Sequence, residues 1–438
     1  MKKMMKRFLV LLTVMALAFT GIVVSSPDQV SAATKAGKKI VVSIGDSYAS
    51  GEGIEPFFGQ DKASAEKVED EDWLAHRSEK AWSGMLKVDG QKMVHNDNWF
   101  FVAASGAETV DLYGNQKKEY NYGGLKGEKG LTPQLEIFDE VEKKYGTGAV
   151  DYVTVTIGGN DIGFTDILTT VVTSTDALDG KLAEIWKSFE SSKSGNSTRD
   201  KIKKAYFDIA EKAGKQAKII VVGYPRLFNE EGFSASLGFL KVDISGEITT
   251  KVDAACDMLD QQYAALVEEC RAEGLDIYYV SVIDAFKGHE AYTADPYINS
   301  IIAKASAQDL SSSSMVSAYS MHPNESGAKV YAKAVQKAID GIENGSGTVK
   351  TSDKPVVTLT AKKGKITVKW TKVEGATKYR VVEYVNGKAK TIKKSTTKTS
   401  YTVKNRVKGT EYTFAVKAYV NGKWTTIKAA DKATITAK

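Results

Sequence analysis

Through residues 38–342, short apolar runs rich in Val, Ile and Tyr alternate with longer stretches whose apolar residues recur at helical spacing. The short runs predict strands near 39–44, 98–104, 151–157, 217–223 and 276–282. The periodic stretches predict amphipathic helices near 131–145, 200–214, 251–273 and 324–342. Strands that are apolar at nearly every position suit a sheet buried on both faces, and strand–helix alternation implies βαβ units. The expectation is an α/β domain with a parallel sheet covered by helices. Roughly three hundred residues bury an ample core. The stretch 162–198, which opens with Ile162-Gly163-Phe164, either walls a pocket or packs as ordinary helix.

From Pro355 the period changes to two. Alternating runs at Val356–Thr360, Lys365–Trp370, Lys378–Tyr384, Tyr401–Val403, Glu411–Val420 and Lys423–Lys428 predict strands. Val385-Asn386-Gly387 and Val420-Asn421-Gly422 carry the Asn-Gly hairpin signal. Residues 355–438 therefore read as a small all-β sandwich. This stretch resembles a fibronectin type III domain, with Trp370 in its core and Tyr412, after Lys408-Gly409-Thr410, at the tyrosine corner. Between the two regions, residues 343–354 lack apolar periodicity and read as a linker.

Charge divides the chain at the same place. The 438 residues carry a formal +6, but residues 355–438 hold 20 Lys or Arg against 4 Asp or Glu, a net of +16, which leaves −10 for residues 1–354. A strongly basic sandwich suits docking on anionic cell-wall polymers, acidic polysaccharide or a lipid surface, or service as a solubilising spacer. No groove-binding motif accompanies the charge, so nucleic acid is not an expected partner. Tyr384, Tyr419 and Trp424 are the candidates for contact with sugars.

At the other end, Lys2, Lys3, Lys6 and Arg7 precede an apolar run from Phe8 to Val24, and Val30-Ser31-Ala32 offers small residues for cleavage. This reads as a secretory signal peptide over residues 1–32. An uncleaved membrane anchor is the alternative, because the run falls just short of a bilayer span. No cysteine follows the run closely, which excludes a lipoprotein anchor. The expected location is outside the cell or on its surface. The two cysteines, Cys256 and Cys270, fall fourteen residues apart in one predicted helix. That is about 21 Å, whereas a disulfide needs Cα atoms within about 7 Å. They read as small apolar residues. So few cysteines in an exported chain suit a Gram-positive bacterium. With no Cys-x-x-Cys pair and four histidines, the sequence suggests no metal site and no cofactor.

Candidate chemistry sits at the strand ends. Ile40-Val41-Val42-Ser43-Ile44-Gly45-Asp46-Ser47 is an apolar run that stops on a serine. Asn98–Ala103 runs into Ser105-Gly106-Ala107, and Asp151–Ile157 into Gly158-Gly159-Asn160-Asp161. Ser320-Met321-His322-Pro323-Asn324 precedes the last predicted helix. A parallel sheet gathers such ends along one edge, where open α/β sheets bind ligands. A serine, a histidine, a glycine amide and an asparagine amide are the parts that acyl transfer needs. Each donor fixed in advance on the oxyanion is worth about 3 kcal/mol.

These segments together resemble the four blocks of the SGNH or GDSL-type serine hydrolases. Gly45-Asp46-Ser47-Tyr48-Ala49-Ser50-Gly51-Glu52-Gly53 looks like the first block, Gly106 like the glycine of the second, Gly158–Asp161 like the third and His322-Pro323-Asn324 like the last. The resemblance implies a flavodoxin-like parallel sheet and an acyl-serine mechanism. In it Ser47 is the nucleophile, His322 the base, and the Ser47 and Gly106 amides with the Asn160 side chain form the oxyanion hole. Asp46 shapes the turn. The nearer likeness is to the secreted, lipase-like branch, through His76–Trp82, Ser105–Thr109, Gly223-Tyr224-Pro225, Phe286–His289 and Asp295–Asn299. Two departures stand out. Tyr319 occupies the place, three residues before the histidine, where many members carry an Asp, so the imidazole is oriented either by the Tyr319 carbonyl or by Asp284 or Asp295. The disulfides typical of that branch have no counterpart here.

The resulting expectation is a secreted carboxylic-ester hydrolase with no cofactor, acting on lipid or simple acyl esters. An O-acetyl esterase on cell-wall or plant glycan shares the chemistry. A surface-binding protein without catalysis is the alternative from another class. Among supporting residues, Glu52 and Arg77 are expected to pair, Asp161 to bond backbone, His76 and His95 to sit in loops, and His289 to be structural.

Overall fold

The computed structural model describes residues 35, 37–60, 70–122, 125–190, 196–237, 240–302, 316–344, 354–371, 373, 376–420, 422–428 and 431–438. The expected signal peptide, and residues 345–353 of the expected linker, lie outside them. No described helix is long and apolar enough to cross a membrane.

Five strands build the first sheet: β1 (Ile40–Gly45), β2 (Trp99–Phe101), β3 (Val150–Thr156), β4 (Lys218–Val222) and β5 (Ile277–Val280). Their order is β2-β1-β3-β4-β5 and every pairing is parallel. The apolar runs account for this. Ile40, Val41, Val42 and Ile44 all have 0% exposure, as strands covered on both faces require. The chain leaves β1 for β2 on one side and comes back to β3 on the other. Strand order therefore reverses between β1 and β3, and the crevice beyond their carboxyl ends is where such sheets bind ligands.

Among the helices are α1 (Ser47–Ser50), α2 (Ile137–Tyr145), α3 (Gly159–Ile162), α4 (Phe164–Thr173), α5 (Leu178–Phe189), α6 (Thr198–Ala213), α7 (Gly246–Ala272) and α8 (Glu325–Glu343), with short turns of helix at Glu71–Leu74 and Ile283–Phe286. Local sequence sets their starts. Ser197 and Asp200 form a reciprocal capping box on α6, and the Asn324 side chain accepts from the Ser326 and Gly327 amides at the head of α8. Within the stretch 162–198, residues Phe164–Thr173 and Leu178–Phe189 form α4 and α5. Both cysteines lie on α7 as free thiols, with no bend between them to bring them together. Three antiparallel hairpins were not expected, the short Lys87–Val88 with Gln91–Lys92, Lys117–Tyr122 with Leu125–Gly130 and Gly232–Leu237 with Leu240–Ser245.

A second core belongs to a sandwich. One sheet holds β6 (Val357–Lys362), β7 (Lys365–Trp370) and β10 (Ser400–Lys404). The other holds β8 (Ala376–Val385), β9 (Lys388–Thr396), β11 (Glu411–Val420), β12 (Lys423–Trp424) and β13 (Ala433–Thr436). Ile366, Val368 and Trp370 meet Tyr379, Val381, Phe414 and Val416 between them. The Tyr412 hydroxyl accepts from the Val407 amide at 3.1 Å, the backbone contact of a tyrosine corner. Asn386 (φ 50°) and Gly387 (φ 73°) make the β8–β9 turn with two positive φ angles, as the Asn-Gly pair predicts.

Candidate active site

The turn after β1 is built around Gly45 and Asp46. Gly45 has φ +125°, and a Cβ there would overlap the Thr156 carbonyl oxygen. Only glycine lets β1 and β3 run together to this point. Gln134 clamps the same residue, accepting from the Gly45 amide at 2.7 Å and donating to its carbonyl at 2.9 Å. Asp46 caps α1. Its carboxylate accepts from the Tyr48 amide (3.1 Å), the Thr156 hydroxyl (2.6 Å) and the Tyr224 hydroxyl (2.5 Å). Burial pushes this carboxyl up to about 6, against the pull of those donors. Asp46 thus shapes the turn and makes no contact with the histidine described next.

Ser47, the first residue of α1, directs its Oγ to His322 Nε2 at 2.7 Å. The other ring nitrogen, Nδ1, lies 3.0 Å from the Ser320 carbonyl oxygen. This corrects the expected orienting group. The carbonyl that meets the ring is Ser320, two residues back, and not Tyr319, three back. The Tyr319 carbonyl instead accepts from the His322 main-chain amide (3.4 Å) and from Asn299 Nδ2 (3.2 Å). The intervening Met321 has φ +61°, which turns the Ser320 carbonyl under the imidazole. Nor does either aspartate take the place. Asp295 lies beside His289, whose Nδ1 is 2.7 Å from the Asp295 carbonyl and whose ring stacks on Tyr297 at 3.8 Å. Asp284 is in the short helix Ile283–Phe286. Burial lowers the His322 pKa, opposed by the charge of Glu52 and by the carbonyls of Ser320 and Ala318.

The loop carrying His322 is held on both sides. Its backbone exchanges hydrogen bonds with Asn299 (Asn299 N to His322 O, 2.8 Å; Met321 N to Asn299 O, 3.0 Å). The Tyr48 hydroxyl donates to the Met321 carbonyl at 2.8 Å, and the Tyr48 ring packs against the imidazole with centroids 5.0 Å apart.

Gly106 and Asn160 close the site. Gly106 has φ +73°, where a side chain is strained. Among the described residues neither the Ser47 nor the Gly106 amide donates to a protein acceptor. Asn160, on α3, donates from Nδ2 to the Ala107 carbonyl at 2.8 Å, which leaves its second N–H for another acceptor. Asp161 accepts from the Thr109 amide at 2.8 Å and from the Thr109 hydroxyl, so it joins the two loops through backbone as expected.

Three supporting groups were not legible in the sequence or were misassigned. Glu52 has 0% exposure and holds His76 Nδ1 at 2.9 Å from both of its oxygens; it does not pair with Arg77. His76 has φ +54°, which turns its ring inward to stack on Phe57 at 4.6 Å. Arg77 instead reaches Asp72 at 2.7 Å and the Ala103 and Val102 carbonyls. Burial alone would raise the Glu52 carboxyl, but the charge and hydrogen bond of His76 hold it down at about 2. Tyr224, third, links Asp46 to the Gly159 amide, which donates to its hydroxyl at 3.1 Å.

Beside Ser47 an apolar cavity opens between α4, α5 and α7. The enclosed part of the cavity is narrow. Phe164, Ile167, Leu182, Trp186, Val252 and Leu259 line it, together with Ser47 and Asn160. Within the stretch 162–198, residues from Ile162 to Trp186 therefore wall a pocket.

No family model matches the chain. Over 262 residues, 59% of this chain and 75% of its relative, it is 26% identical to Lipase 1 of Streptomyces coelicolor. Over 261 residues, 59% and 76% of the two, it is 25% identical to a lipase of Streptomyces rimosus. The first domain is similar to Streptomyces lipases. Among solved structures the chain aligns with the extracellular lipase of Streptomyces rimosus at 22% identity, covering 68% of this chain and 99% of that one, with a TM-score of 0.48. It also aligns with an Fn3-like protein from Clostridium thermocellum at 26% identity, covering 19% and 92%, with a TM-score of 0.18.

Proposed function

We propose that the protein is a secreted lipid-ester hydrolase that works through an acyl-Ser47 intermediate. The observation that carries this is the 2.7 Å contact between Ser47 Oγ and His322 Nε2 beside an apolar cavity. A hydroxyl bonded to an imidazole whose far nitrogen faces a carbonyl is an activated nucleophile. Ser47 Oγ attacks the ester carbonyl while its proton passes to His322 Nε2. The carbonyl electron pair moves onto oxygen, where the Ser47 and Gly106 amides and the free N–H of Asn160 receive it. Collapse expels the alcohol, which takes the proton from His322 and leaves Ser47 acylated. Water then attacks the acyl group, His322 again accepting the proton, and collapse releases the acid while His322 returns that proton to Ser47 Oγ. The Ser320 carbonyl fixes the ring orientation and accepts a hydrogen bond from Nδ1–H throughout.

The cavity favours medium or long acyl chains over acetyl, because a chain that fills it removes apolar surface from water at about 0.8 kcal/mol per methylene. The sequence similarity to lipases points the same way. The test is hydrolysis of p-nitrophenyl esters from acetate to palmitate by the purified protein, beside Ser47→Ala and His322→Ala. Activity that rises toward longer chains and is lost in both variants is expected. Activity confined to acetate would move the reading to a glycan O-acetyl esterase. No hydrolysis by the folded protein would leave a non-catalytic binding role.

A further inference from the structure

The outer face of the three-stranded sheet of the sandwich carries an unusual row. Alternate residues Ala361, Ile366 and Val403 point into the core, so their neighbours point out. Cross-strand register places Lys362 opposite Lys365, and Lys365 opposite Lys404. The next outward row is Thr360, Thr367 and Thr402, and the next Thr358, Lys369 and Ser400. Lys362, Lys365, Lys369 and Lys404 are all exposed. Opposed residues have Cβ atoms about 5 Å apart, so three ammonium groups are rooted within roughly 10 Å on one surface.

Among the described residues no ion pair involves these lysines. The nine outward positions include no acid, and the sandwich ion pairs among the described residues, Lys354–Asp431 and Arg406–Glu383, lie elsewhere. Like charges directly opposite on a sheet destabilise it. The face also carries no aromatic side chain, so it offers no platform on which bases or sugar rings stack. It is a β-sheet surface and not a groove that would follow a strand of polymer. Ammonium groups side by side among hydroxyls on one sheet face match an array of anionic head groups.

We propose that the Lys362–Lys365–Lys404 row, with Lys369 and the threonines beside it, docks the protein on an anionic lipid surface. The purpose rests on the lipid-ester reading, since such a surface presents the ester to the first domain; the binding itself does not depend on that reading. Each lysine near an anionic bilayer strengthens binding by about 1 kcal/mol, about fivefold. Removal of three should weaken it on the order of a hundredfold.

The test is sedimentation of the full chain with vesicles of phosphatidylcholine alone and of phosphatidylcholine with one-third phosphatidylglycerol, in a Ser47→Ala background so that the vesicles stay intact. Binding to the anionic vesicles only, weakened by salt, is expected. Lys362→Gln/Lys365→Gln/Lys404→Gln should lose most of it without a fall in melting temperature. The charge-matched Lys143→Gln/Lys187→Gln/Lys215→Gln should lose little. With Ser47 intact, the face variant should hydrolyse a soluble short-chain ester at the parent rate. Equal losses in both triple variants, unchanged binding by the face variant, equal binding to neutral vesicles, or tighter retention by a soluble polyol-phosphate polymer would each overturn the proposal. Absence of ester hydrolysis with vesicle binding intact would sink the hydrolase reading and leave this one standing.

Discussion

The Tyr224 hydroxyl lies 2.5 Å from the Asp46 carboxylate and also accepts from the Gly159 amide, so one phenol spans the turn that carries Ser47 and the turn that carries Asn160. Tyr224→Phe keeps the ring and removes both bonds. A hydrogen bond to a charged group contributes about 1.5–3 kcal/mol. We expect a stability loss of about 2 kcal/mol in denaturant melts, and kcat lowered about tenfold with KM near the parent value. The Asp46 carboxyl, already raised to about 6, would rise further without its donor. The stability loss should therefore be greater at pH 8, where the carboxyl is ionised, than at pH 6.

Ser47→Ala and His322→Ala should each lower kcat by at least about a thousandfold, and the double variant should be no worse than either, since the two act as one unit. Additive losses in kcat would show that the contact seen between them is not the one used.

Asn160→Ala removes a donor and Gly106→Ala disturbs a backbone held at positive φ. Each should cost about 3 kcal/mol of transition-state stabilisation, a hundredfold or more in kcat, with a small change in KM. A rise in KM alone would assign Asn160 to substrate binding.

Burial holds the His322 pKa below its ordinary value, and the base works only when neutral. The rising limb of kcat/KM should thus lie below pH of about 6.5. Glu52 charge raises the His322 pKa, so Glu52→Gln should move that limb to lower pH and reduce the plateau. The same carboxyl bears on stability. Its folded pKa of about 2 lies below its ordinary 4.5, so its contribution is fully present above about 4.5 and is lost as pH falls toward 2. Denaturant melts across that window should lose on the order of 3 kcal/mol in the parent. They should stay flatter in Glu52→Gln.

Leu182→Trp should fill the cavity. Hydrolysis of long-chain esters should fall at least tenfold while acetate hydrolysis holds, measured on the p-nitrophenyl series. An equal fall on all chain lengths would place the acyl group elsewhere.

The central sheet was readable because its strands are buried on both faces, and an unbroken Val–Ile run of that length suits little else in a water-soluble domain. The long helices were readable from periodicity and caps. The strand β9 (Lys388–Thr396) was not, although the Asn386-Gly387 turn that starts it was. Most of its residues are exposed at the edge of a sheet, so neither face imposes an apolar alternation. The two longer hairpins at 117–130 and 232–245 escaped for a related reason, since neither belongs to the central sheet. In the site, Ser47, Gly106, Asn160 and His322 were named by their places at strand ends. The Ser320 carbonyl and the Glu52–His76 pair were not. Both depend on single residues at positive φ, Met321 and His76, and such a turn leaves little trace in the identity of the residue that makes it.

Ser47 and His322 stand 275 residues apart, one near each end of the first domain. In the proposed mechanism a growing chain presents the nucleophile at the start of the first domain and the base near that domain's end. On that mechanism, until α8 docks and brings its preceding loop to β1, the serine is an ordinary alcohol. Hydrolytic power would then be withheld from every partly made or partly folded form, and proteolytic loss of the segment bearing His322 would extinguish it in one step.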